Sequence, residues 1–238
     1  ALAATVARCQ REGRAGLNVT LPHKRAACRL ADSLTHAAAT TQAVNTLIFG
    51  PDGVRGDNTD VEGFATALGP PPGPRALVIG AGGAARAVLV ALRRAGVRSL
   101  RVAARAPANA EEMVSDLGFG GVAVGALEDT VGLLPTVDLV VLALPPGRWA
   151  AEATLPWSTL PEHARVIHLA YGPAARLVVD AARAAGRRAE DGLVMLAAQG
   201  IAAFEAWTGL RPPLAAALSA LGATPTSGPG VCPDPSAD

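Results

Sequence analysis

Residues 76–87 decide the fold, and they read Ala-Leu-Val-Ile-Gly-Ala-Gly-Gly-Ala-Ala-Arg-Ala. A short apolar run typical of a buried strand leads straight into a glycine loop, and an apolar helix follows to about residue 95. In such a unit Gly80 allows a tight turn, Gly82 lets backbone approach a pyrophosphate, and Ala85 permits close helix–strand packing. The segment predicts a dinucleotide at the start of the helix; the alternative is that the glycines serve only the turn. The predicted contacts are Gly80, Ala81, Gly82, Gly83 and Ala84.

Strands and helices continue to alternate downstream of this loop. Further strands are predicted at residues 100–103, 122–124, 137–144 and 165–169, and helices at residues 107–117 and 174–185. This alternation is typical of a parallel sheet covered by helices. We therefore predict an α/β protein with a Rossmann-like domain over residues 74–190.

The end of the second predicted strand bears on the choice of dinucleotide. NAD sites usually place an acidic residue there to accept from the ribose hydroxyl, whereas this chain has Ala103-Ala104-Arg105-Ala106. A guanidinium at Arg105 can stack on adenine and meet a 2′-phosphate. The pattern favours NADP; the alternative is that Arg105 is an ordinary exposed arginine.

A proline-rich segment at residues 69–74 separates the Rossmann-like part from a smaller α/β part. The smaller part, residues 1–69, is predicted to hold a helix over residues 1–12, a strand over 16–21, a helix opening at Pro22, and a hairpin of residues 43–49 and 54–57. Helices are also predicted over residues 191–209 and 212–221. The tail, residues 222–238, has almost no apolar side chains and is predicted to be disordered.

Composition excludes several classes of function. The chain has 238 residues, half of them apolar, and its 21 basic and 20 acidic residues leave a net charge of +1, which argues against a nucleic-acid or membrane-surface partner. Cys9, Cys28 and Cys232 lack the spacing of a zinc site and suit a reducing compartment. Arg86 interrupts the longest apolar run, so no membrane span is expected. These features predict a cytoplasmic protein without a structural metal.

The sequence that begins at Ala1 is typical of the middle of a helix, and we expect an N-terminal piece to be missing.

Lys24 is the only lysine in a chain that uses twenty arginines. A lysine amine can release and regain a proton, which an arginine in a protein cannot, so this position suggests proton transfer. The alternative is a solvated lysine without a role.

Three patches of small polar residues lie where predicted strands end or helices start, at residues 18–24, 43–46 and 56–63, and such side chains can converge on a cleft. Taken singly, each patch is more typical of turns and caps.

Taken together, these segments resemble the shikimate dehydrogenase family. The similarity lies in Asn18-Val19-Thr20-Leu21-Pro22-His23-Lys24, Ala43-Val44-Asn45-Thr46, Gly56-Asp57-Asn58-Thr59-Asp60, the glycine loop, Asp191-Gly192-Leu193-Val194-Met195-Leu196, and Gln199-Gly200-Ile201-Ala202-Ala203-Phe204-Glu205-Ala206-Trp207-Thr208-Gly209. It covers nearly everything from residue 13 to 221. The resemblance implies a catalytic α/β domain, an NADP-binding Rossmann domain, C-terminal helices (residues 191–221) that return to the first domain, and reversible reduction of 3-dehydroshikimate to shikimate in aromatic amino-acid biosynthesis.

The resemblance also implies roles for individual residues. Lys24 and Asp60 form the catalytic pair, in which the ammonium supplies a proton to the developing alkoxide and the carboxylate orients it. The implied substrate-binding residues are Asn18, Thr20, Asn45, Asp60, Tyr171 and Gln199. Leu169 and Gly192 are implied to lie near the nicotinamide. Partners are expected to be small molecules only, with the chain a monomer or a homodimer.

Some positions depart from the family pattern. The first strand with its Ser-x-Ser carboxylate clamp has no counterpart in this chain, and Asn109, His168 and Val194 stand where the family usually has arginine, aspartate and glycine. Fewer polar contacts to the nucleotide are expected. Two other interpretations stay open: a quinate or amino-shikimate dehydrogenase, and a non-catalytic protein that binds a nucleotide or a small acid.

Overall fold

The computed structural model describes residues 2–71, 73–145 and 147–222 and shows two sheets, one small and mixed, the other larger and parallel. The predicted disordered tail therefore lies outside the described residues, apart from Gly222 in the turn after the last helix. In the described part of the chain, no helix is both long and apolar enough to span a bilayer, and no group of three or more His, Cys, Asp or Glu could hold a metal ion.

The small sheet belongs to the first lobe, residues 2–68. Its helices and strands are α1 (Leu2–Arg11), β1 (Gly16–Asn18), α2 (Lys24–Leu30), β2 (Ser33–Leu34), α3 (His36–Thr41), β3 (Thr46–Gly50), β4 (Gly53–Asp57) and α4 (Asp60–Leu68). The sheet order is β1-β3-β4-β2, with β3 antiparallel to both neighbours and β2 parallel to β4. A small apolar core that includes Val6, Val44, Leu47 and Val54 lies between this sheet and its helices.

Several predicted bounds in this lobe were wrong. The first strand ends at Asn18 rather than at residue 21, and α2 begins at Lys24, not at Pro22. The first hairpin strand begins at Thr46 rather than at residue 43, and two residues before it Val44 N donates to Lys24 O of α2 at 3.0 Å instead of to a strand. The sequence pattern also missed β2, α3 and α4. The first two are too short to show a period, and α3 depends on Thr35, whose hydroxyl accepts from Ala38 N at 3.3 Å.

The parallel sheet forms the second lobe, residues 75–190. Its strands and helices are β5 (Arg75–Ile79), α5 (Gly83–Arg94), β6 (Ser99–Ala104), α6 (Pro107–Asp116), β7 (Ala123–Ala126), α7 (Thr130–Leu133), β8 (Leu139–Leu142), β9 (Arg165–His168), α8 (Pro173–Ala184) and β10 (Arg188–Glu190). All six strands are parallel in the order β10-β9-β8-β5-β6-β7, which is the Rossmann order. The predicted fold class is confirmed, although the sequence pattern missed β10.

The central strand β5 is covered on both faces. Ala76 and Val78 point into one apolar cluster with α5, whereas Leu77 and Ile79 point into another with β8 and α8 residues. Side chains alternate across a strand, so a strand between two helix layers must be apolar at every position. This is why residues 76–79 form a continuous apolar run.

The last two helices, α9 (Leu193–Thr208) and α10 (Leu214–Ala220), return the chain to the first lobe. A Cβ added to Gly63 of α4 would lie 2.8 Å from Met195 O, so α4 and α9 touch almost backbone to backbone. At the other end of α9, Trp207 Nε1 donates to Leu47 O at 3.0 Å in β3. The same α4 helix contributes Phe64 to the core around α5, so it packs against both lobes.

Candidate active site

Polar side chains of the first lobe converge where α2 and α4 begin. Lys24 is the first residue of α2 and Asp60 the first residue of α4. Lys24 Nζ donates a hydrogen bond to Asp60 Oδ2, and the two side chains are only 13% and 8% exposed. A charge pair shielded to this degree interacts more strongly than one in open water. The carboxylate also lies in the first turn of a helix, where negative charge is favoured.

Asn45 fixes the orientation of the Lys24–Asp60 pair through hydrogen bonds. Its amide nitrogen donates to Asp60 Oδ1 at 2.8 Å and to Thr59 Oγ1 at 3.0 Å. Its amide oxygen accepts from Thr59 N at 2.8 Å and from Thr46 Oγ1 at 2.9 Å. A 3% exposed amide must satisfy such groups within the protein, and here both ends are satisfied. The aspartate, and through it the ammonium, is therefore held in one place.

Asn18 and Thr20 border the same centre from the end of β1. Asn18 is exposed, and its amide nitrogen lies 3.4 Å from both Asn45 O and Thr46 Oγ1. Thr20 is exposed in the turn before α2, where its carbonyl accepts from His23 N at 2.9 Å. Both residues are exposed to solvent, and Asn18 contacts Asn45, the residue that binds Asp60.

The glycine loop of the second lobe lies directly beside Lys24. A Cβ built on Gly83 would be 3.1 Å from Lys24 Cδ, so the aliphatic stem of the lysine lies against the start of α5. The loop itself is shaped as predicted. Gly80 has φ +124° and leaves no room for a side chain beside Ala143 O, at 2.8 Å, while a Cβ on Gly82 would meet nothing within 4 Å. This open cradle at the start of a twelve-residue helix fits a pyrophosphate.

A cleft of about 270 Å³ continues from the glycine loop along the ends of β6 and β8. Arg105 and Asn109 line it on the β6 side, and Arg148 lines it from the loop after β8. Sequence reasoning identified Arg105 but missed Arg148. The signal available was a glycine–arginine pair shortly after the fourth strand of the domain, at its carboxyl end.

Leu169 and Gly192 meet across the start of α9. A Cβ on Gly192 would lie 2.0 Å from Leu169 O, and Gly192 N donates to Ala170 O at 2.8 Å. Gln199, further along α9, packs its Cβ against Gly63 of α4, one turn after Asp60. Tyr171 is 49% exposed in the loop after β9, and in the described part of the chain no hydrogen bond joins it to Lys24 or Asp60.

His168 and Glu152 form a buried pair beneath this region. His168 Nδ1 accepts from Ala170 N at 2.9 Å, which places the ring proton on Nε2, 3.9 Å from Glu152 Oε2. Burial lowers the pKa of His168 and raises the pKa of Glu152, because desolvation disfavours both charged forms. The position at which the family usually has an aspartate is thus filled by a buried histidine.

Ion pairs hold the two lobes together beside Lys24. Arg25, the next residue, lies 3.1 Å from Glu112 Oε1 and 3.4 Å from Asp116 Oδ2 on α6. The same Asp116 pairs with the buried Arg86 of α5 at 2.6 Å, and Arg86 also reaches Thr41 O of α3 at 3.4 Å. Hydrogen bonding to Arg86 lowers the pKa of Asp116, so the carboxylate stays charged.

The arrangement can transfer a proton next to a bound nucleotide. It supplies a positioned amine, a carboxylate to hold it, exposed polar groups around it and an anion-binding loop beside it. A ketone in this cleft could receive a hydride from a nicotinamide and a proton from the amine.

Comparisons with known proteins point to one family. Residues 1–47 match the family described as shikimate dehydrogenase substrate binding domain, residues 68–146 the shikimate/quinate 5-dehydrogenase family, and residues 192–221 the shikimate 5′-dehydrogenase C-terminal domain. A shikimate dehydrogenase (NADP⁺) of Methylobacterium radiotolerans is 45% identical over 207 residues, which are 83% of this chain and 73% of that protein.

Solved structures give the same result. Shikimate 5-dehydrogenase of Thermus thermophilus, in complex with NADP(H) and shikimate, matches with a TM-score of 0.79 and 34% identity over 92% of this chain and 82% of that one. Quinate dehydrogenase of Corynebacterium glutamicum, in complex with NAD, matches with a TM-score of 0.81 and 29% identity over 93% and 82% of the two chains. The shared motifs, the fold and these relatives show that the chain belongs to the shikimate dehydrogenase family.

Proposed function

We propose that this chain catalyses the reversible, NADP-dependent reduction of 3-dehydroshikimate to shikimate. The observation that carries the proposal is the contact between the Lys24–Asp60 pair and the first residue of α5, Gly83. It puts a proton donor within one side-chain length of the loop that suits a dinucleotide. The NADP-named relatives support the choice of cofactor.

Lys24 acts as the proton donor in the reduction. Bound NADPH supplies the hydride to the carbonyl carbon, which leaves negative charge on the oxygen. The ammonium of Lys24 stabilises that charge and passes a proton to the oxygen, and Asp60 keeps the amine in place during the transfer. The side chain of Lys24 is 13% exposed, which gives the amine a route to regain its proton from water.

The remaining polar groups bind the substrate or the cofactor. Asn18, Thr20 and Asn45 form the first-lobe part of the substrate set: Asn18 and Thr20 are exposed polar residues, and Asn45 binds the catalytic carboxylate of Asp60. Gln199 and Tyr171 complete the substrate set from α9 and from the loop after β9. Residues 80–84, Arg105, Leu169 and Gly192 hold the cofactor. The corresponding division is a catalytic domain over residues 1–69, an NADP domain over 74–190, and helices over 191–221 that pack on the first domain.

An absorbance assay at 340 nm with shikimate and NADP tests the proposal. Lys24→Ala should fold and bind cofactor but lose about 10²–10⁴-fold in kcat, the usual contribution of a general acid. Lys24→Arg should fail as badly, because it keeps the charge but cannot give up the proton. His23→Ala, an exposed neighbour, is the matched control and should keep normal turnover. Near-normal turnover of Lys24→Ala would exclude Lys24 from the mechanism.

Quinate is the second candidate substrate, because the likeness to a quinate dehydrogenase is as close in fold as the likeness to the shikimate enzyme. The same assay with quinate, and with NAD in place of NADP, separates the two. A larger kcat/KM for quinate with NAD would overturn the assignment given above. A chain that binds nucleotide but turns over neither acid would instead support the non-catalytic interpretation.

A cytoplasmic location and a monomeric or homodimeric state stay predictions from the sequence. The free thiols of Cys9 and Cys28 suit a reducing compartment. Light scattering of the purified protein and fractionation of the source cells test the two points separately.

A further inference from the structure

The cleft beyond the glycine loop carries positive charge from two directions. It is lined by Gly80 and Ala81 of the loop, by Arg105 and Asn109 after β6, and by Leu144 and Arg148 after β8. The two arginines come from segments more than 40 residues apart in sequence. Both residues are exposed, and both line this one cleft.

Neither arginine is neutralised by the protein. No aspartate or glutamate lines the cleft, and no ion pair joins either guanidinium to an acid in the described ranges 2–71, 73–145 and 147–222. Arg25, Arg75, Arg86, Arg165 and Arg211, in contrast, all have acidic partners. Two unpaired guanidinium groups in one cleft form a site for a multiply charged anion such as a phosphate monoester.

The loop that carries Arg148 is fixed from beneath. Arg148 N donates to Pro145 O at 3.2 Å and closes a turn, and Gly147 has φ +70°, which glycine adopts without strain. Gly147 N lies 3.4 Å from Glu152 Oε1, the carboxyl that is buried beside His168. Gly147 is thus joined to a buried residue of the lobe, and Arg148, the next residue, lines the cleft.

Among the described residues, the β6 side of the cleft, opposite Arg148, has a single charged side chain, that of Arg105. Asn109, on the first turn of α6, offers only a neutral amide beside Arg105. A phosphate that met Arg105 alone would be half neutralised. Arg148 supplies the missing charge from across the cleft.

We propose that Arg148 is the second cation for the 2′-phosphate of NADP and that, together with Arg105, it sets the preference of this chain for NADP over NAD. The inference rests on the proposed function, since it requires the dinucleotide to lie along the glycine loop. Arg148 is a binding and specificity residue and takes no part in proton transfer.

Calorimetric titration with 2′,5′-ADP and with 5′-AMP tests this without any turnover. Wild type should prefer 2′,5′-ADP. Arg148→Ala should weaken 2′,5′-ADP binding by at least about tenfold, the value of one charge-assisted bond to a phosphate, and leave 5′-AMP within about twofold. Arg148→Lys should fall between the two, and Arg105→Ala should show the same selective loss. Arg176→Ala, an exposed arginine on α8, is the matched control and should bind as wild type.

The results separate this inference from the proposed function. If Arg148→Ala binds 2′,5′-ADP as tightly as the wild type does, the role of Arg148 is overturned. The same holds if Arg148→Ala loses equal affinity for 2′,5′-ADP and 5′-AMP, or if the wild type binds both nucleotides equally well. Activity with shikimate is measured independently through Lys24. A chain that passes the nucleotide test and fails the shikimate assay would retain the phosphate site and lose the dehydrogenase assignment.

Discussion

Asp138 provides a stability test that can be worked out from the structure. It lies at the amino edge of the parallel sheet, just before β8, and is 2% exposed. Its carboxylate accepts from Arg75 N and Arg75 Nε, both at 3.0 Å, from Arg75 Nη2 at 2.5 Å and from His163 Nε2 at 2.9 Å. These bonds, with Arg75 first, lower the pKa of Asp138 from 3.8 to about 2.

A depressed carboxyl pKa stabilises the fold above the pKa of the unfolded chain, and this stabilisation is lost as the pH falls through the folded value. The shift contributes about 2 kcal/mol to the free energy of unfolding at pH 7 and about 1 kcal/mol at pH 3, since each pKa unit is worth about 1.4 kcal/mol. Asp138→Asn removes the titrating group. It should therefore cost about 2 kcal/mol at pH 7 and roughly half as much at pH 3.

Urea unfolding of the wild type and of Asp138→Asn at both pH values measures this difference. Asp180→Asn, an exposed aspartate on α8, is the control and should change the free energy of unfolding by less than about 0.5 kcal/mol. The kcat of Asp138→Asn should match wild type, because the amino edge of the sheet lies opposite the site. A loss for Asp138→Asn that is the same at both pH values would refute the electrostatic argument.

Two further substitutions test how the lobes position the site. In Gly83→Ala the new methyl would lie 3.1 Å from Lys24 Cδ, so the lysine side chain must move by a few tenths of an ångström. We expect kcat to fall by about tenfold, because the amine is displaced. The melting temperature should stay the same or rise, because alanine has the higher helix propensity. An unchanged kcat would show that the contact with Lys24 is unimportant. Arg165→Met leaves the last carbonyls of α4 without their guanidinium donors and should lower the free energy of unfolding by about 3 kcal/mol in urea titrations; a loss below about 1 kcal/mol would contradict that role.

The second lobe could be predicted well from the sequence because its signals are local. The glycine loop, the four apolar strand runs around it and the helices between them each occupy one stretch of chain with its own period. β10 was missed because only Ala189 of its three residues is buried. A strand at the sheet edge with a single buried side chain has no period to detect.

The first lobe was harder to predict because its structure depends on side-chain hydrogen bonds between distant residues. β2 has two residues, and the lobe is held at Asp32, whose carboxylate accepts from Val54 N at 2.7 Å, and at Thr35, whose hydroxyl bonds Asp57. No periodic pattern announces such contacts. The order of the polar patches was visible in the sequence, whereas the bond from Asn45 to Asp60 required the fold.

The residues of the candidate site show the same contrast between local signals and contacts that are distant in sequence. Lys24 was conspicuous because it is unique, and Arg105 because it follows a predicted strand. Arg148 was not, because its proposed role depends on Arg105, which is distant in sequence, and on the lack of an acid among the described residues that line the cleft. A sequence pattern does not show which of twenty arginines lack an acidic partner.

The chain passes between the lobes twice, and the places where it does so restrict how they can move. The first passage enters β5 at the amino edge of the parallel sheet, where Arg165 fastens the end of α4. The second leaves β10 at the carboxyl edge, where Gly192 is pressed against Leu169 O. The two connections thus lie at opposite edges of the sheet. A rotation of one lobe about the line between them that widened the gap between Lys24 and Gly83 would open the cleft and move the amine away from the glycine loop in one movement.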